Sequence, residues 1–133
     1  MRWSGEEGEE DIRSLRELER RIARLDPDTD PFGVLSRGGS DFIQTAAQDT
    51  GFIIEKRERG GSANLVARRA GRRRPSTVAP PQKSGLFARL FAARPAPAPL
   101  HDIFTRDEVE AAFAAWYEGA PDPAFLEWHA DPV

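Results

Sequence analysis

The amino-acid sequence predicts one small α+β domain with an N-terminal helix, an antiparallel β-meander of three to four strands, and a C-terminal helix packed on one face of the sheet. Three observations favour this fold: an apolar stripe at helical spacing over residues 5–25, four short runs rich in Phe, Ile, Val and Thr between residues 32 and 69, and a capped helical pattern after residue 104. The length of 133 residues, 39% of them hydrophobic and 31% charged, fits a single domain over residues 1–133.

The first predicted element is a helix over residues 5–25. Its apolar stripe consists of Ile12, Leu15, Leu18, Ile22 and Leu25. Ser4 and Glu7 have the spacing of a capping box, and Asp26-Pro27 is expected to end the helix. Such a helix packs on its own chain or, alternatively, its narrow stripe pairs with another chain.

Four strands are predicted next, at residues 32–36, 41–46, 51–58 and 62–69. The connections are short and rich in glycine, so these strands can pair only as antiparallel hairpins. Phe52 and Ile54 share one face of their strand, and Ile53 and Glu55 share the other. We expect one face of the sheet to pack on helices and the other to be at least partly exposed to water.

Residues 70–100 have the composition of a linker-like insertion, with six prolines, six basic residues and no acidic residue. Within it, residues 84–91 fit a short helix with a small apolar face. This face consists of Leu86, Phe87, Leu90 and Phe91. An isolated helix of two turns is marginal in water, so the segment is expected to dock on its own chain, in a groove of a partner, or on a membrane surface.

The C-terminal helix begins at a second capping box, formed by Thr105 and Glu108, and is expected to end at Gly119. Its apolar face consists of Val109, Ala112, Phe113, Trp116 and Tyr117. Phe125, Leu126 and Trp128 follow, and we expect this tail to fold back on the core because exposing these groups costs about 25 cal/mol per Å².

Charge is segregated along the chain, although its formal net value is only −3. Residues 1–30 carry a net charge of −4, residues 31–94 of +8, and residues 95–133 of −7. This arrangement favours a role in binding another macromolecule. The candidate partner-binding residues are those of the acidic helix faces, Glu6, Glu9, Glu10, Asp107, Glu108, Glu110 and Glu118.

An alternative interpretation is nucleic-acid binding through a basic cluster. The cluster consists of Arg68, Arg69, Arg72, Arg73 and Arg74. These side chains could neutralise several phosphates. The acidic ends of the chain would repel the same polymer, however, and the strands lack the interleaved aromatic residues that stack on bases.

Motifs for catalysis and cofactor binding are missing from the sequence. The chain has no cysteine, which excludes disulfides and thiolate chemistry and favours a cytoplasmic location. His101 and His129 belong to no H-E-x-x-H motif, and no serine lies in G-x-S-x-G. We therefore expect ordinary surface or packed histidines, no metal, no cofactor and no enzymatic activity. No apolar stretch approaches the roughly 20 residues of a membrane span, and the acidic N-terminus is unlike a signal peptide.

Several segments resemble a group of small bacterial proteins, the immunity proteins of polymorphic toxin systems. The matching segments are DPFGVLSRGGSDFIQTA, GFIIEKRE, FTRDEVEAAFAAWYEG and FLEWH, within residues 26–68 and 104–129. The sequence departs from this group at residues 70–100, where a short connection is expected. The resemblance implies a non-catalytic inhibitor that binds a cognate toxin and blocks its active site.

Overall fold

The computed structural model describes residues 1–38, 40–58, 64–71, 77–78 and 101–130. Within them the elements are the strands β1 (Arg2–Gly5), β2 (Gly8–Asp11), β3 (Phe32–Ser36), β4 (Phe42–Gln48), β5 (Gly51–Arg57), β6 (Leu65–Arg69), β7 (Thr77–Val78), β8 (His101–Asp102) and β9 (Leu126–Ala130), and the helices α1 (Leu15–Ala23) and α2 (Arg106–Glu118). The protein is α+β, as the sequence predicts.

The main sheet has seven antiparallel strands in the order β2-β1-β3-β4-β5-β6-β9. The predicted four-stranded meander is present as β3 to β6, with bounds within a few residues of those expected. The layout differs at both ends, because a hairpin of β1 and β2 extends the sheet on one side and β9 extends it on the other. The C-terminal helix α2 packs on one face, here called the helix face.

The prediction of a helix over residues 5–25 is wrong in its first half, where residues 2–11 form the β1–β2 hairpin. The hairpin buries both Trp3, opposite Leu35, and Ile12 in the core at 2% and 3% exposure. Helix α1 begins later, where the Oγ atom of Ser14 accepts the backbone N–H of Glu17 at 3.2 Å. The capping pattern in use is therefore Ser14–Glu17 and not Ser4–Glu7.

The apolar stripe of α1 packs within its own chain, since Leu18, Ile22 and Leu25 are no more than 1% exposed. Arg106 of α2 donates to the carbonyl oxygens of Ile22 and Leu25, the latter at 2.9 Å. The carbonyl of Ile22 also accepts the N–H of Leu25 at 3.2 Å, and a cation at this negative end of the helix dipole is favourable. The contact ties the two helices together on the helix face.

The C-terminal half of the prediction is confirmed. Thr105 and Glu108 form a reciprocal capping box at the start of α2, and Gly119 ends the helix in a left-handed conformation with φ of 69°. The tail folds back as expected. Leu126 is 7% exposed, and Trp128 and Phe125 pack against the same core.

Strands β5 and β6 separate along their length, and residues 101–104, here called the return segment, lie between them. The two strands pair at Glu55 and Lys56. Continuing that register would place Phe52 opposite Arg69. Instead the backbone of Phe52 exchanges hydrogen bonds of 2.9 and 2.8 Å with Phe104, and the Arg69 N–H donates to Oδ2 of Asp102 at 2.7 Å. The return segment therefore completes the sheet where the β5–β6 ladder stops.

The face of the sheet opposite the helices is buried at its centre and partly exposed elsewhere, for instance at Val34 and Arg68, so the expectation of an at least partly wet face holds only away from the centre. Phe32, Ala46 and Ile53 are each 1% exposed and form a second cluster, against which Ile103 packs. The return segment accounts for part of this difference, because it brings Ile103 to this face. Its position follows from contacts between residues far apart in sequence.

Within the predicted linker-like insertion, the described residues are 70–71 and 77–78, of which β7 pairs with β8. The predicted helix at 84–91, with Leu86, Phe87, Leu90 and Phe91, lies outside the described residues. So do three arginines of the basic cluster, Arg72, Arg73 and Arg74. In the described part of the chain, neither helix has the length and apolar character needed to cross a membrane.

Gly51 allows the return segment to approach β5 closely. Its φ is +147°, and a Cβ atom there would lie 2.7 Å from the carbonyl oxygen of Phe104. Gly8 also has a positive φ, of +120°, but a Cβ atom there would have open space around it.

We predict that Gly51→Ala lowers the free energy of unfolding more than Gly8→Ala. Both variants impose backbone strain of about 1–3 kcal/mol. Only Gly51→Ala adds overpacking against a backbone oxygen that cannot rotate away, for about 1–3 kcal/mol more. Urea denaturation of the two variants measures the difference, and equal losses would contradict this account of the return segment.

Candidate functional site

The predicted acidic residues near the N-terminus lie on the β1–β2 hairpin and not on a helix. Glu6, Glu9 and Glu10 are all exposed there, with Glu6 in the turn. Glu10 is paired with Arg21 of α1, and this hydrogen bond lowers the pKa of Glu10. Glu6 and Glu9 remain directed to the solvent, apart from a contact of Glu9 with Arg2 at 3.5 Å. An exposed ion pair of this kind contributes little to stability.

Glu108 stabilises the fold through contacts within the chain. Its two carboxylate oxygens accept hydrogen bonds from both terminal nitrogens of Arg69, at 2.7 and 2.8 Å, and one of them also accepts the N–H of Thr105. The bidentate pair with Arg69 lowers the pKa of Glu108 and raises that of Arg69. Because its oxygens are engaged inside the chain, Glu108 is not available as a partner contact in this structure.

Stability should depend on pH through Glu108. Its pKa in the folded chain lies below the ordinary value of 4.5, so the pair stabilises the fold above that pH, and the stabilisation is lost as the pH falls through the folded pKa. We predict that Glu108→Gln lowers the free energy of unfolding by about 1–3 kcal/mol near neutral pH, and that the difference disappears in strong acid.

Urea denaturation across a pH series checks this. Glu118→Gln is the control, because Glu118 is exposed at the other end of the same helix and makes no ion pair among the described residues. A loss for Glu108→Gln that stays constant down to strong acid would contradict the role assigned to the pair.

Three carboxylates converge in a shallow groove between the two helices, here called the α1–α2 groove. Glu19 of α1 and Asp107 and Glu110 of α2 form its rim, and Ala111 and Ala114 complete the lining. Its volume is about 230 Å³. Burial raises the pKa of Glu110, and the neighbouring charge of Glu19 raises it further. Among the described residues no cation pairs with these three carboxylates.

Sequence reasoning found two members of the groove and missed the third. Asp107 and Glu110 were expected on an acidic face of the C-terminal helix. Glu19 joins them only because α1 packs against α2, a contact that no local pattern in the sequence predicts. Glu118 is exposed further along α2, outside the groove.

The predicted basic cluster is represented by Arg68 and Arg69 in the described part of the chain. Arg69 is engaged: its guanidinium donates to Glu108 and to the carbonyl oxygen of Ile103, and it stacks on Phe104 at 4.9 Å from the ring centroid. Arg68 is half-buried on the opposite face of the sheet. Arg69 therefore stabilises the fold, whereas the alternative interpretation of the sequence assigned it to phosphate binding.

A second cleft lies at the C-terminal end of α2 and is here called the α2 C-terminal cleft. Its volume is about 360 Å³. The lining residues that carry charge or an indole ring are Arg37, Asp41, Lys56, Glu58, Trp116 and Asp122. Nε1 of Trp116 is buried and finds no acceptor among the described residues, which costs about 1–3 kcal/mol and distinguishes this cleft from ordinary surface.

A buried polar cluster lies on the opposite face of the sheet. Nε2 of His101 lies 2.6 Å from Oε2 of Glu55, whose other oxygen accepts the amide of Gln44 at 3.3 Å. The three side chains are 0%, 1% and 2% exposed. An imidazole oriented by a carboxylate can move protons, but it must be reachable by a substrate. Because both groups are fully enclosed and the clefts described here are lined by other residues, the arrangement favours a structural role.

We predict that Glu55→Ala lowers the free energy of unfolding by about 3–5 kcal/mol, since it removes the carboxylate from a buried pair and leaves the imidazole without it. Thermal and urea denaturation measure the loss. Glu6→Ala, in an exposed turn, is the matched control and should change the free energy of unfolding by less than about 0.5 kcal/mol. Similar small losses in both variants would contradict a structural role of the pair.

Within the described residues, no group of three or more histidine, aspartate or glutamate side chains is arranged to hold a metal ion. Comparison with known proteins adds no assignment: no family model matches the chain, and no curated protein or solved structure matches it. The site must therefore be interpreted from its own geometry.

Proposed function

We propose that this chain is a non-catalytic protein-binding module of the immunity type, which inhibits a bacterial toxin domain by binding a basic surface of it through the α1–α2 groove. The observation that carries the proposal is the groove itself, where Glu19, Asp107 and Glu110 converge without a cation among the described residues. The resemblance of the sequence to immunity proteins supports the same function.

The distribution of basic groups supports this proposal. Three cations of the described chain are bonded within the chain: Arg69 to Glu108, Arg106 to the end of α1, and Arg37 to the carbonyl of Trp116. The three carboxylates of the groove have no such partner in the part of the chain that the structure describes. The groove therefore presents its own negative potential to a basic partner.

The groove suits a lysine or arginine side chain of the partner. Ala111 and Ala114 are short, so the apolar stem of such a side chain can lie between the helices while its charge meets the carboxylates. In the free protein these carboxylates repel one another, which is one cause of the raised pKa of Glu110. A bound cation offsets this repulsion. Part of the binding free energy therefore comes from the relief of repulsion between neighbouring carboxylates.

The test titrates the purified chain with the C-terminal domain encoded by the neighbouring reading frame, by calorimetry. We expect a one-to-one complex with a dissociation constant in the nanomolar range. Glu19→Gln combined with Glu110→Gln should weaken binding about tenfold, which corresponds to about 1.4 kcal/mol, mainly through slower association and with a smaller dependence on salt.

The control variant combines Asp28→Asn with Asp49→Asn. It changes the net charge by the same amount at two exposed positions away from the groove, and it should bind like the unmodified chain. Absence of a complex, or equal weakening by both double variants, would contradict the proposal. A titration with a short DNA duplex at low and high salt covers the alternative, since binding that falls with salt would favour nucleic acid as the partner.

A further inference from the structure

Helix α1 carries a row of exposed arginines on the side that faces away from the core. Arg16, Arg20 and Arg24, here called the α1 arginine row, are all exposed and follow one another at intervals of four residues. That interval places side chains on the same side of a helix, about 6 Å apart along its axis. Leu18 and Ile22, both 0% exposed, lie on the opposite side. The row therefore occupies the outer surface of the helix.

The fold makes no use of the charges of the α1 arginine row. Arg21, one residue further on, is paired with Glu10. The guanidinium groups of Arg16, Arg20 and Arg24, in contrast, have no hydrogen bond and no ion pair in the part of the chain that the structure describes. Like charges four residues apart destabilise a helix. An anionic partner would offset this repulsion.

A concave site of about 210 Å³ lies between α1 and β2 beside the row. The residues that line it are Glu10, Glu17, Arg20, Arg21 and Arg24. Glu10 and Arg21 are paired with each other, and one oxygen of Glu17 accepts the backbone N–H of Arg13 at 3.0 Å. Arg20 and Arg24 are thus the lining cations that have no ion pair among the described residues. One carboxylate between them could accept charge-assisted hydrogen bonds from both.

The surroundings of the row favour a protein partner over a nucleic acid. Glu17 lies on one flank of the row and Glu19 on the other, and the chain as a whole has a net charge of −3. These carboxylates would repel a continuous polyanion such as duplex DNA, which carries one charge for about every 1.7 Å of its axis. Nucleic-acid-binding domains are, moreover, usually strongly basic. Separate carboxylates about 6 Å apart can meet the arginines singly and avoid the flanking acids.

We propose that the α1 arginine row binds an acidic helix of a partner protein, with a carboxylate at every fourth residue. A helix laid along α1 repeats the interval of about 6 Å, so its successive carboxylates meet successive guanidinium groups. One of these carboxylates enters the concave site between Arg20 and Arg24. The inference goes beyond the proposed function, because it concerns a different surface of opposite charge and does not require a toxin domain.

The test measures binding of the full chain to a fluorescein-labelled peptide by fluorescence anisotropy. The peptide has about 16 residues, enough for a helix to begin to form, with glutamate at every fourth position among alanine and glutamine. At an ionic strength of about 10 mM, where the Debye length is about 30 Å, we expect saturable binding that weakens as salt is added. A peptide with glutamine in place of every glutamate should not bind.

Two variants and a matched control locate the site. Arg20→Gln should weaken binding about threefold, and Arg16→Gln, Arg20→Gln and Arg24→Gln combined should weaken it about tenfold or more. Glutamine has nearly the helix propensity of arginine, and circular dichroism establishes that the variants are folded. Arg2→Gln is the control. It removes one exposed positive charge from β1, where Arg2 contacts Glu9 and Asp11, and should leave binding unchanged.

A second peptide tests the spacing. It has the same composition with its glutamates in consecutive positions, and it should bind several-fold more weakly. No binding of the spaced peptide at low salt, equal binding of both peptides, or binding insensitive to the triple variant would overturn the proposal.

Two further results would assign the row to a different partner and likewise overturn the proposal. The first is tighter binding of a short DNA duplex than of the spaced peptide, lost in the triple variant. The second is a dimer of the unmodified chain in sedimentation equilibrium that is absent from the triple variant, because the row would then contact a second copy. Neither peptide experiment involves the α1–α2 groove, so the proposed function is judged separately by its own titration.

Discussion

Closure of the sheet between β5 and β6 depends on one segment of backbone. Where the two strands separate, residues 101–104 bond to Phe52 on one side and to Arg69 on the other. Several other features follow from the position of this return segment. They are the enclosed contact of His101 with Glu55, the packing of Ile103 on the face opposite the helices, and the position from which α2 starts. Backbone groups buried without partners are costly, so the separated strands need this segment.

Helix α2, positioned in this way, contributes to two concave surfaces. Its first half contributes Asp107 and Glu110 to the α1–α2 groove, and its C-terminal end forms one wall of the α2 C-terminal cleft. Arg69 links this helix to the sheet through Glu108, and Arg106 links it to α1. Arg69 and Arg106 thus hold the scaffold in place, whereas the carboxylates of Glu19, Asp107 and Glu110 meet no cation among the described residues and are left for recognition.

The sequence was informative where structure is local. Alternation of residues such as Ile53 and Ile54 predicted the meander, and Thr105, Glu108 and Gly119 marked both ends of α2. The predicted helix over residues 5–25 was wrong in its first half for a physical reason. Acidic residues suit the start of a helix as well as an exposed edge strand. In addition, Ser14 and Glu17 have the same capping-box spacing as Ser4 and Glu7, so the pattern alone did not show where the helix begins. Glu19 in the groove and the Glu55–His101 contact could not be predicted, because each joins residues from separate elements.

Arg69 and Asp102 are bonded to each other although more than thirty residues separate them in sequence. Residues 69 and 102 are therefore neighbours in space, so the two ends of the piece of chain between them are held side by side by the fold. For a flexible loop, each doubling of length costs only about 0.6 kcal/mol in closure entropy. Two ends fixed side by side can be joined by connections of different length at little energetic expense, which makes this position a natural place for a lineage to acquire a new appendage.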